Sequence, residues 1–117
     1  MKIYLGHSTG FDYRRELYEP IMNSEIGKNN EIICPHLSKE AKDSKTAISE
    51  CDLFVAEVSY PSTGMGIELG WANIFGKPII CVYKTGTKIS DSLKIITDKF
   101  MGYSSADELI AGLEKYL

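Results

Sequence analysis

Short apolar runs alternate with longer, helix-length segments along the whole sequence, and this alternation most restricts how the chain can fold. The runs are almost continuously apolar, as in strands whose two faces are both buried. Five such runs are predicted as strands, at residues 3–6, 31–34, 52–58, 78–83 and 100–103. The pattern predicts an α/β fold, a single-domain, doubly wound, five-stranded parallel sheet of flavodoxin-like or Rossmann-like type with helices on both faces.

The segments between these runs have the spacing of helices. In the first of them, for example, Leu17, Tyr18 and Ile21 recur at helical intervals. Gly76 and Pro78 end the helix that precedes the fourth strand. Helices are predicted at residues 12–24, 39–51, 66–75, 90–99 and 105–117.

The composition is that of an ordinary globular domain. Of the 117 residues, 44% are hydrophobic and 25% are charged, which fits one domain over residues 1–117 and excludes a disordered chain. The net charge is −3, so we expect neither nucleic acid nor a membrane surface as a partner. No apolar run approaches the roughly 18 residues of a membrane span, and the first six residues lack the pattern of a signal peptide.

The three cysteines give no sign of metal or redox chemistry. Cys34, Cys51 and Cys81 are 17 and 30 positions apart, and no Cys or His pair has the spacing of zinc ligands. Two of the three lie in predicted strands. We therefore expect buried, unreactive thiols, a cytoplasmic location and no cofactor.

In doubly wound folds, ligands bind at the carboxyl ends of the strands, near the reversal of strand order. The loops in this position span residues 6–12, 35–39 and 59–66. The third loop is rich in small residues, and its glycines Gly64, Gly66 and Gly70 loosely resemble a dinucleotide-binding pattern. That interpretation is disfavoured, because the glycines follow the third strand rather than the first. In addition, Glu68 would place a carboxylate in the first helical turn, where the pyrophosphate would bind.

Glu68 is the only charged residue between Gly66 and Gly76. A capping box does not account for it, because Met65 occupies the position that would need Ser or Thr. Two interpretations stay open on spacing alone. Glu68 either interacts favourably with the helix dipole, or it is a functional acid in the cleft that the dipole keeps ionised.

Residues 52–70, followed by Gly76-Lys77-Pro78, resemble the nucleoside 2-deoxyribosyltransferase family, most closely its branch of 2′-deoxynucleoside 5′-phosphate N-hydrolases. The resemblance covers nearly the whole chain. It implies that Glu68 is a nucleophile that attacks the anomeric carbon of the sugar and displaces the base. A carboxylate suits this reaction, since it stabilises an oxocarbenium-like transition state and then forms a glycosyl ester.

The resemblance implies roles for further residues. Tyr4 matches a tyrosine that lies beside the nucleophile. A site for the 5′-phosphate is implied at Ser8, Ser62, Gly64, Gly66 and Ser90, with Ser90 reaching it from a neighbouring subunit. Each serine also has a simpler explanation, as a turn residue or a helix N-cap.

The chain also departs from the family pattern. The loop after the first strand lacks the arginine of the hydrolase branch, and Arg14 and Arg15 follow slightly later, where solvated helix residues are expected. The family aspartate that assists protonation of the leaving base has Asp43 as its nearest counterpart, one position out of register, with Ser44 in the matching place. His36 follows the second strand and is predicted to edge the base pocket.

The sequence therefore predicts an enzyme that cleaves the N-glycosidic bond of a 2′-deoxynucleoside or its 5′-monophosphate through a glutamyl–deoxyribosyl intermediate, with water as acceptor. Transfer of the sugar to a second base is the alternative. A non-catalytic nucleotide-binding module on the same fold is a further alternative, because a fold does not determine a function. We also expect a homodimer whose interface includes the helix that carries Trp71.

Overall fold

The computed structural model describes residues 1–37 and 43–117, and its strands form one parallel sheet. The strands are β1 (Lys2–His7), β2 (Glu31–Ile33), β3 (Leu53–Glu57), β4 (Ile79–Lys84) and β5 (Phe100–Tyr103). Their order is β2-β1-β3-β4-β5, and every neighbouring pair is parallel. This confirms the predicted doubly wound sheet. The order reverses between β1 and β3, so the carboxyl ends of these two strands flank the expected ligand position.

Helices connect the strands. The helical elements are a π-helical segment (Arg14–Tyr18), α1 (Glu19–Met22), α2 (Glu25–Asn29), α3 (Ser44–Glu50), α4 (Thr63–Ile74), a 3-10 segment (Asp91–Ile95) and α5 (Ala106–Glu114). In the described part of the chain, none of them is long and apolar enough to cross a membrane.

The sheet separates two hydrophobic cores, because successive side chains of a strand point to opposite faces. On one face Ile3 and Leu5 of β1 pack with Leu17 and Leu109. On the other face Tyr4 packs with residues of β3, α3 and α4, including Phe54, Ile48 and Leu69. Tyr4 is therefore directed to the face that α3 and α4 cover.

Two of the predicted helices are not continuous α-helices in the structure. The segment predicted as one helix at 12–24 is broken after Met22, because Ser24 is extended and its hydroxyl donates to the carbonyl of Ile21 at 2.7 Å. The segment predicted at 90–99 contains only the 3-10 turn. There, the Thr97 hydroxyl donates to the carbonyl of Ile79 at 2.7 Å, a side-chain bond that ties the segment to β4.

The helix predicted at 39–51 begins at Ser44 in the structure, with Asp43 as its N-cap. Residues 39–42 of that prediction lie outside the described residues. Cys51 and Cys81 are buried and Cys34 is half-buried, each as a free thiol, and burial raises the pKa of the Cys81 thiol to about 12.

The start of α4 is the most important difference. The helix begins at Thr63, three residues before the predicted start, because the Ser62 hydroxyl oxygen accepts a hydrogen bond from the amide of Met65 at 3.2 Å. Glu68 consequently lies in the second turn, and its placement in the first turn was wrong. The helix dipole is strongest at the first turn, so it does not account for ionisation of Glu68.

Candidate active site

Glu68 and Tyr4 meet on the face of the sheet that α4 covers. The Tyr4 hydroxyl donates a hydrogen bond to Glu68 Oε1 at 3.2 Å. Tyr4 is fully buried in β1, whereas Glu68 is half-buried and keeps access to solvent. A buried, immobile phenol thus orients a carboxylate that a substrate can reach, which is the arrangement that a nucleophile requires.

Ser44 is the third member of this group. It is the first residue of α3, and it lies close enough to Glu68 and Tyr4 that its side chain lowers the pKa of each. No local pattern in the sequence indicates this role; the only signal was its register with the family aspartate. The three side chains come from β1, α3 and α4, so only the packing of these elements brings them together.

Asp43 precedes Ser44 but has a different environment. Its carboxylate is exposed and accepts hydrogen bonds from the amides of Lys45 (3.1 Å) and Thr46 (3.4 Å) and from the Thr46 hydroxyl (2.7 Å). The hydrogen bonds from Thr46, above all, hold the pKa of Asp43 below its ordinary value. Within the described residues no hydrogen bond joins Asp43 to Glu68 or Tyr4, so the structure places Asp43 as the cap of the helix that carries Ser44.

The protonation states of the site follow from burial. Burial raises the pKa of the Glu68 carboxyl, and the hydrogen bonds from Tyr4 and Ser44 lower it part of the way back. Burial also raises the pKa of the Tyr4 phenol, so Tyr4 stays protonated and donates. These two hydroxyl groups therefore favour the ionised form of Glu68.

Three of the predicted phosphate-binding residues line one cleft of about 360 Å³. These residues are Ser62, Gly66 and Ser90, and apolar side chains such as Met65 and Leu93 complete the lining. The Ser62 oxygen accepts the Met65 amide, and the Ser90 oxygen accepts the amide of Ser92 at 3.4 Å. Both hydroxyl hydrogens are consequently free to donate to an anion.

The other two predicted phosphate ligands, Ser8 and Gly64, do not line that cleft. Ser8 is buried just after β1, and its oxygen accepts the amide of Gly10 at 3.0 Å. Gly64 is exposed in the first turn of α4, and no atom lies where a side chain at this position would extend. The structure is thus compatible with close approach of a ligand at Gly64.

Neither arginine considered as a substitute for the family arginine reaches the cleft of Ser62 and Ser90. Arg14 donates through Nη2 to the carbonyl of His36 at 3.1 Å. Arg15 lines a separate cleft that also contains Glu16 and Lys84. In the described part of the chain, the residues that line the cleft of Ser62 and Ser90 include no lysine or arginine.

His36 is exposed after β2, as expected for a residue at the edge of a pocket. Its neighbours were not predicted. His7, interpreted from the sequence as a loop residue, is the last residue of β1 and is buried, and Tyr18 contacts both histidines. A signal for Tyr18 existed, because a tyrosine on the buried face of a helix needs a partner for its hydroxyl.

The described residues contain no group of three or more His, Cys, Asp or Glu side chains that could hold a metal ion.

Comparison with known proteins gives curated relatives of one kind. The chain is 36% identical over 75 residues to a protein of Thermofilum pendens named as a 2′-deoxynucleoside 5′-phosphate N-hydrolase. The matched region covers 60% of this chain and 52% of the relative. It is 37% identical over 65 residues to the 5-hydroxymethyl-dUMP N-hydrolase of Mus musculus, covering 52% of this chain and 38% of the relative. The chain thus spans about half or less of the length of these relatives. No family model matches it.

Solved structures extend the similarity to the whole chain. The CMP N-glycosidase of Clostridium botulinum is 26% identical, with a TM-score of 0.77 and coverage of 100% of both chains. A 2-deoxyribosyltransferase from Leishmania mexicana is 16% identical, with a TM-score of 0.68 and coverage of 99% of both chains. The second likeness concerns the fold alone.

Proposed function

We propose, from the confirmed resemblance to the nucleoside 2-deoxyribosyltransferase family, that this chain cleaves the N-glycosidic bond of a 2′-deoxynucleoside or its 5′-monophosphate. The observation that carries the proposal is the Glu68 carboxylate, half-buried, accessible and hydrogen-bonded to the buried Tyr4 hydroxyl. Nucleotide N-hydrolases and an N-glycosidase among the similar proteins support the same bond as the target.

In the proposed reaction Glu68 attacks C1′ of the sugar. The C1′–N bond breaks as the ester forms, and the base leaves with the electron pair of that bond. The positive charge that develops on the sugar in the transition state is stabilised by the carboxylate. Water then cleaves the glutamyl ester and restores Glu68.

Tyr4 and Ser44 orient Glu68 in this proposal. Both side chains favour the ionised carboxylate, and the hydrogen bond from Tyr4 orients it through Oε1. Asp43 is the proposed proton donor to the leaving base. The geometry supports this role of Asp43 less well than it supports Glu68 as the nucleophile. A proton donor must be protonated, whereas hydrogen bonds from Thr46 and Lys45 favour the ionised form of Asp43.

The proposed phosphate site consists of neutral donors. The hydroxyls of Ser8, Ser62 and Ser90 and the backbone at Gly64 would bind the 5′-phosphate at the start of α4. Gly66 would contribute close approach rather than a donor, because its amide donates to the carbonyl of Ser62 at 3.2 Å. Because charge-assisted bonds to arginine are roughly twice as strong as neutral ones, we expect only a modest preference for the 5′-monophosphate over the free deoxynucleoside.

Transfer of the sugar to a second base is the second candidate. It is favoured by the absence of lysine and arginine from the described lining of the cleft, since a site for free nucleosides needs no cation there. A ratio of kcat/KM for 5′-monophosphate over deoxynucleoside that is one or below would favour transfer.

We further propose that the protein is a homodimer and that Ser90, which lines the cleft of Ser62 within its own chain, also approaches the cleft of the partner. Ile67 and Ile74, four and three positions from Trp71 on α4, are 51% and 82% exposed, and Ile95 beyond Ser90 is 84% exposed. A face with this much apolar exposure and no charged residue between Gly70 and Gly76 is suited to burial against a second copy.

We also propose a cytoplasmic location, which the three free thiols support. In the same proposal, residues 1–117 form a single domain.

The test is release of free base from deoxynucleosides and deoxynucleoside 5′-monophosphates by the purified chain, followed by chromatography. In Glu68→Ala we expect turnover to fall by about four orders of magnitude while the circular-dichroism spectrum stays unchanged. Glu114→Ala, which removes an exposed glutamate at the end of α5, is the matched control and should keep full activity. Substantial activity in Glu68→Ala would contradict the mechanism.

A further inference from the structure

A buried histidine lies outside the Glu68 group, at the carboxyl end of β1. His7 is only 6% exposed. Its ring is stacked on Tyr13 at 4.4 Å between centroids, and the rings of Tyr18 and His36 approach it edge-on at 5.0 and 5.2 Å. The proposed mechanism uses neither His7 nor Tyr18, so their burial at the ligand-binding edge of the sheet needs an explanation of its own.

The hydrogen bonds of His7 have a definite direction. Its Nδ1 lies 2.7 Å from the carbonyl oxygen of Ser8, which can only accept, so Nδ1 carries the proton. Burial lowers the pKa of His7 to about 4, so the ring is neutral at pH 7 and Nε2 is an acceptor. The Tyr18 hydroxyl donates to that Nε2.

Tyr18 continues the chain on its other side. Its oxygen accepts the backbone N–H of His36 at 3.2 Å. All the donors therefore point the same way, from His36 through Tyr18 and His7 to Ser8. A phenylalanine at position 18 could fill the same space but could neither donate to His7 nor accept from His36.

This chain of hydrogen bonds joins the two loops that carry proposed substrate contacts. Ser8, in the loop after β1, is a proposed phosphate ligand, and His36, in the loop after β2, is at the proposed edge of the base pocket. Arg14 adds a second link to the same loop by donating to the carbonyl of His36. The backbone groups of Ser8 and His36 are consequently linked to each other through side chains in the protein interior.

We propose that His7 and Tyr18 are positioning residues that set the separation of Ser8 and His36, and with it the fit of the phosphate and base ends of one substrate. The inference rests on the proposed function. Neither side chain touches the reacting atoms, and the group formed by Glu68, Tyr4 and Ser44 does not depend on them. Their loss should therefore weaken substrate binding more than the chemical step.

The first experiment is steady-state kinetics of Tyr18→Phe with a deoxynucleoside 5′-monophosphate. We expect KM to rise about tenfold with kcat within about twofold of the wild type, because two hydrogen bonds at the loops are lost. Tyr13→Phe is the matched control. It removes a phenol hydroxyl from the ring stacked on His7 without breaking the chain, and should leave KM unchanged.

The second experiment separates positioning from a general loss of stability. If Tyr18 acts through the loop of His36, Tyr18→Phe and His36→Ala combined should raise KM by less than the product of their separate factors. Effects on KM that multiply fully would show that Tyr18 is merely structural. If Tyr18→Phe fails to fold, His7→Gln replaces it, since a glutamine amide can accept from Tyr18 while losing the bond to Ser8.

A third measurement is independent of activity. The ¹⁵N shifts of the His7 ring should show a neutral ring protonated at Nδ1 at pH 7, and protonation at Nε2 would overturn the proposed chain. If the wild type releases no base, the proposed function fails, and the Kd of the nucleotide from calorimetry takes the place of KM. An unchanged KM or Kd in Tyr18→Phe would overturn the inference in either case.

Discussion

At the scale of single residues, two opposing influences act on Glu68. Its burial on α4 favours the neutral acid, whereas hydrogen bonds from Tyr4 and Ser44 favour the ionised form. A nucleophile must be ionised, so activity is expected to fall as the pH drops through the pKa of Glu68, and that pKa lies above the ordinary glutamate value. The two hydroxyls limit this rise and so extend activity to lower pH.

Removal of either hydroxyl should move the acidic limb of the pH profile. In Tyr4→Phe and Ser44→Ala the carboxylate loses a donor, so its pKa rises further and kcat/KM begins to fall at a higher pH than in the wild type. Ser49→Ala, on the same helix but bonded to the carbonyl of Thr46, is the matched control and should leave the limb in place. A limb that stays in place in both Tyr4→Phe and Ser44→Ala would exclude Glu68 as the group that titrates.

At the scale of elements, the start of α4 combines two roles. Ser62 caps the helix and, in the proposed function, donates to the 5′-phosphate. Ser105 caps α5 with the same geometry, because each serine oxygen accepts an amide three residues further on at 3.2 Å. A comparison of variants at Ser62 and Ser105 therefore distinguishes the effect of helix capping from that of phosphate binding.

Mutation of either cap should destabilise the protein, but only mutation of Ser62 should affect substrate selection. We expect Ser62→Ala and Ser105→Ala each to lower the free energy of unfolding by about 1 kcal/mol, measured by urea denaturation. Only Ser62→Ala should also reduce the ratio of kcat/KM for the 5′-monophosphate to that for the free deoxynucleoside. If the ratio changes equally in the two variants, Ser62 does not bind the phosphate.

At the scale of the whole molecule, the exposed apolar residues of α4 should decide assembly. Ile74→Lys places a charge on the proposed interface, and we expect it to turn a dimer into a monomer in sedimentation experiments at micromolar concentration. Met22→Lys is the matched control, because Met22 is a 44% exposed apolar residue on α1, away from α4. A wild-type chain that sediments as a monomer would contradict the proposed dimer.

Assembly also bears on the active site. If Ser90 completes the cleft of the partner, a mixture of Glu68→Ala and Ser90→Ala chains should be more active than the two chains measured separately. In the mixed dimer one site has both an intact Glu68 and an intact Ser90. The absence of such complementation in a mixture shown to contain mixed dimers would restrict the action of Ser90 to the cleft of its own chain.

The sequence alone was sufficient for the fold, and it singled out Glu68, whose role as nucleophile stays a prediction. The central strands are visible as largely apolar runs, such as Leu53–Ala56 of β3 and Ile79–Val82 of β4, because burial on both faces of a parallel sheet favours apolar residues. Glu68 is visible as the one charge in an apolar helix. Both features depend only on the order of residues along the chain.

The tertiary structure decided which side chains meet. Tyr4 and Glu68 are 64 positions apart, and the chain from His36 to Ser8 passes through a tyrosine on a third element. It also decided that Ser62 begins α4, which moved Glu68 out of the first turn, and that Ser44 rather than Asp43 accompanies it. Hydropathy follows the local sequence, whereas a hydrogen bond between distant residues depends on distances of a few tenths of an ångström that only the packing of complete elements sets.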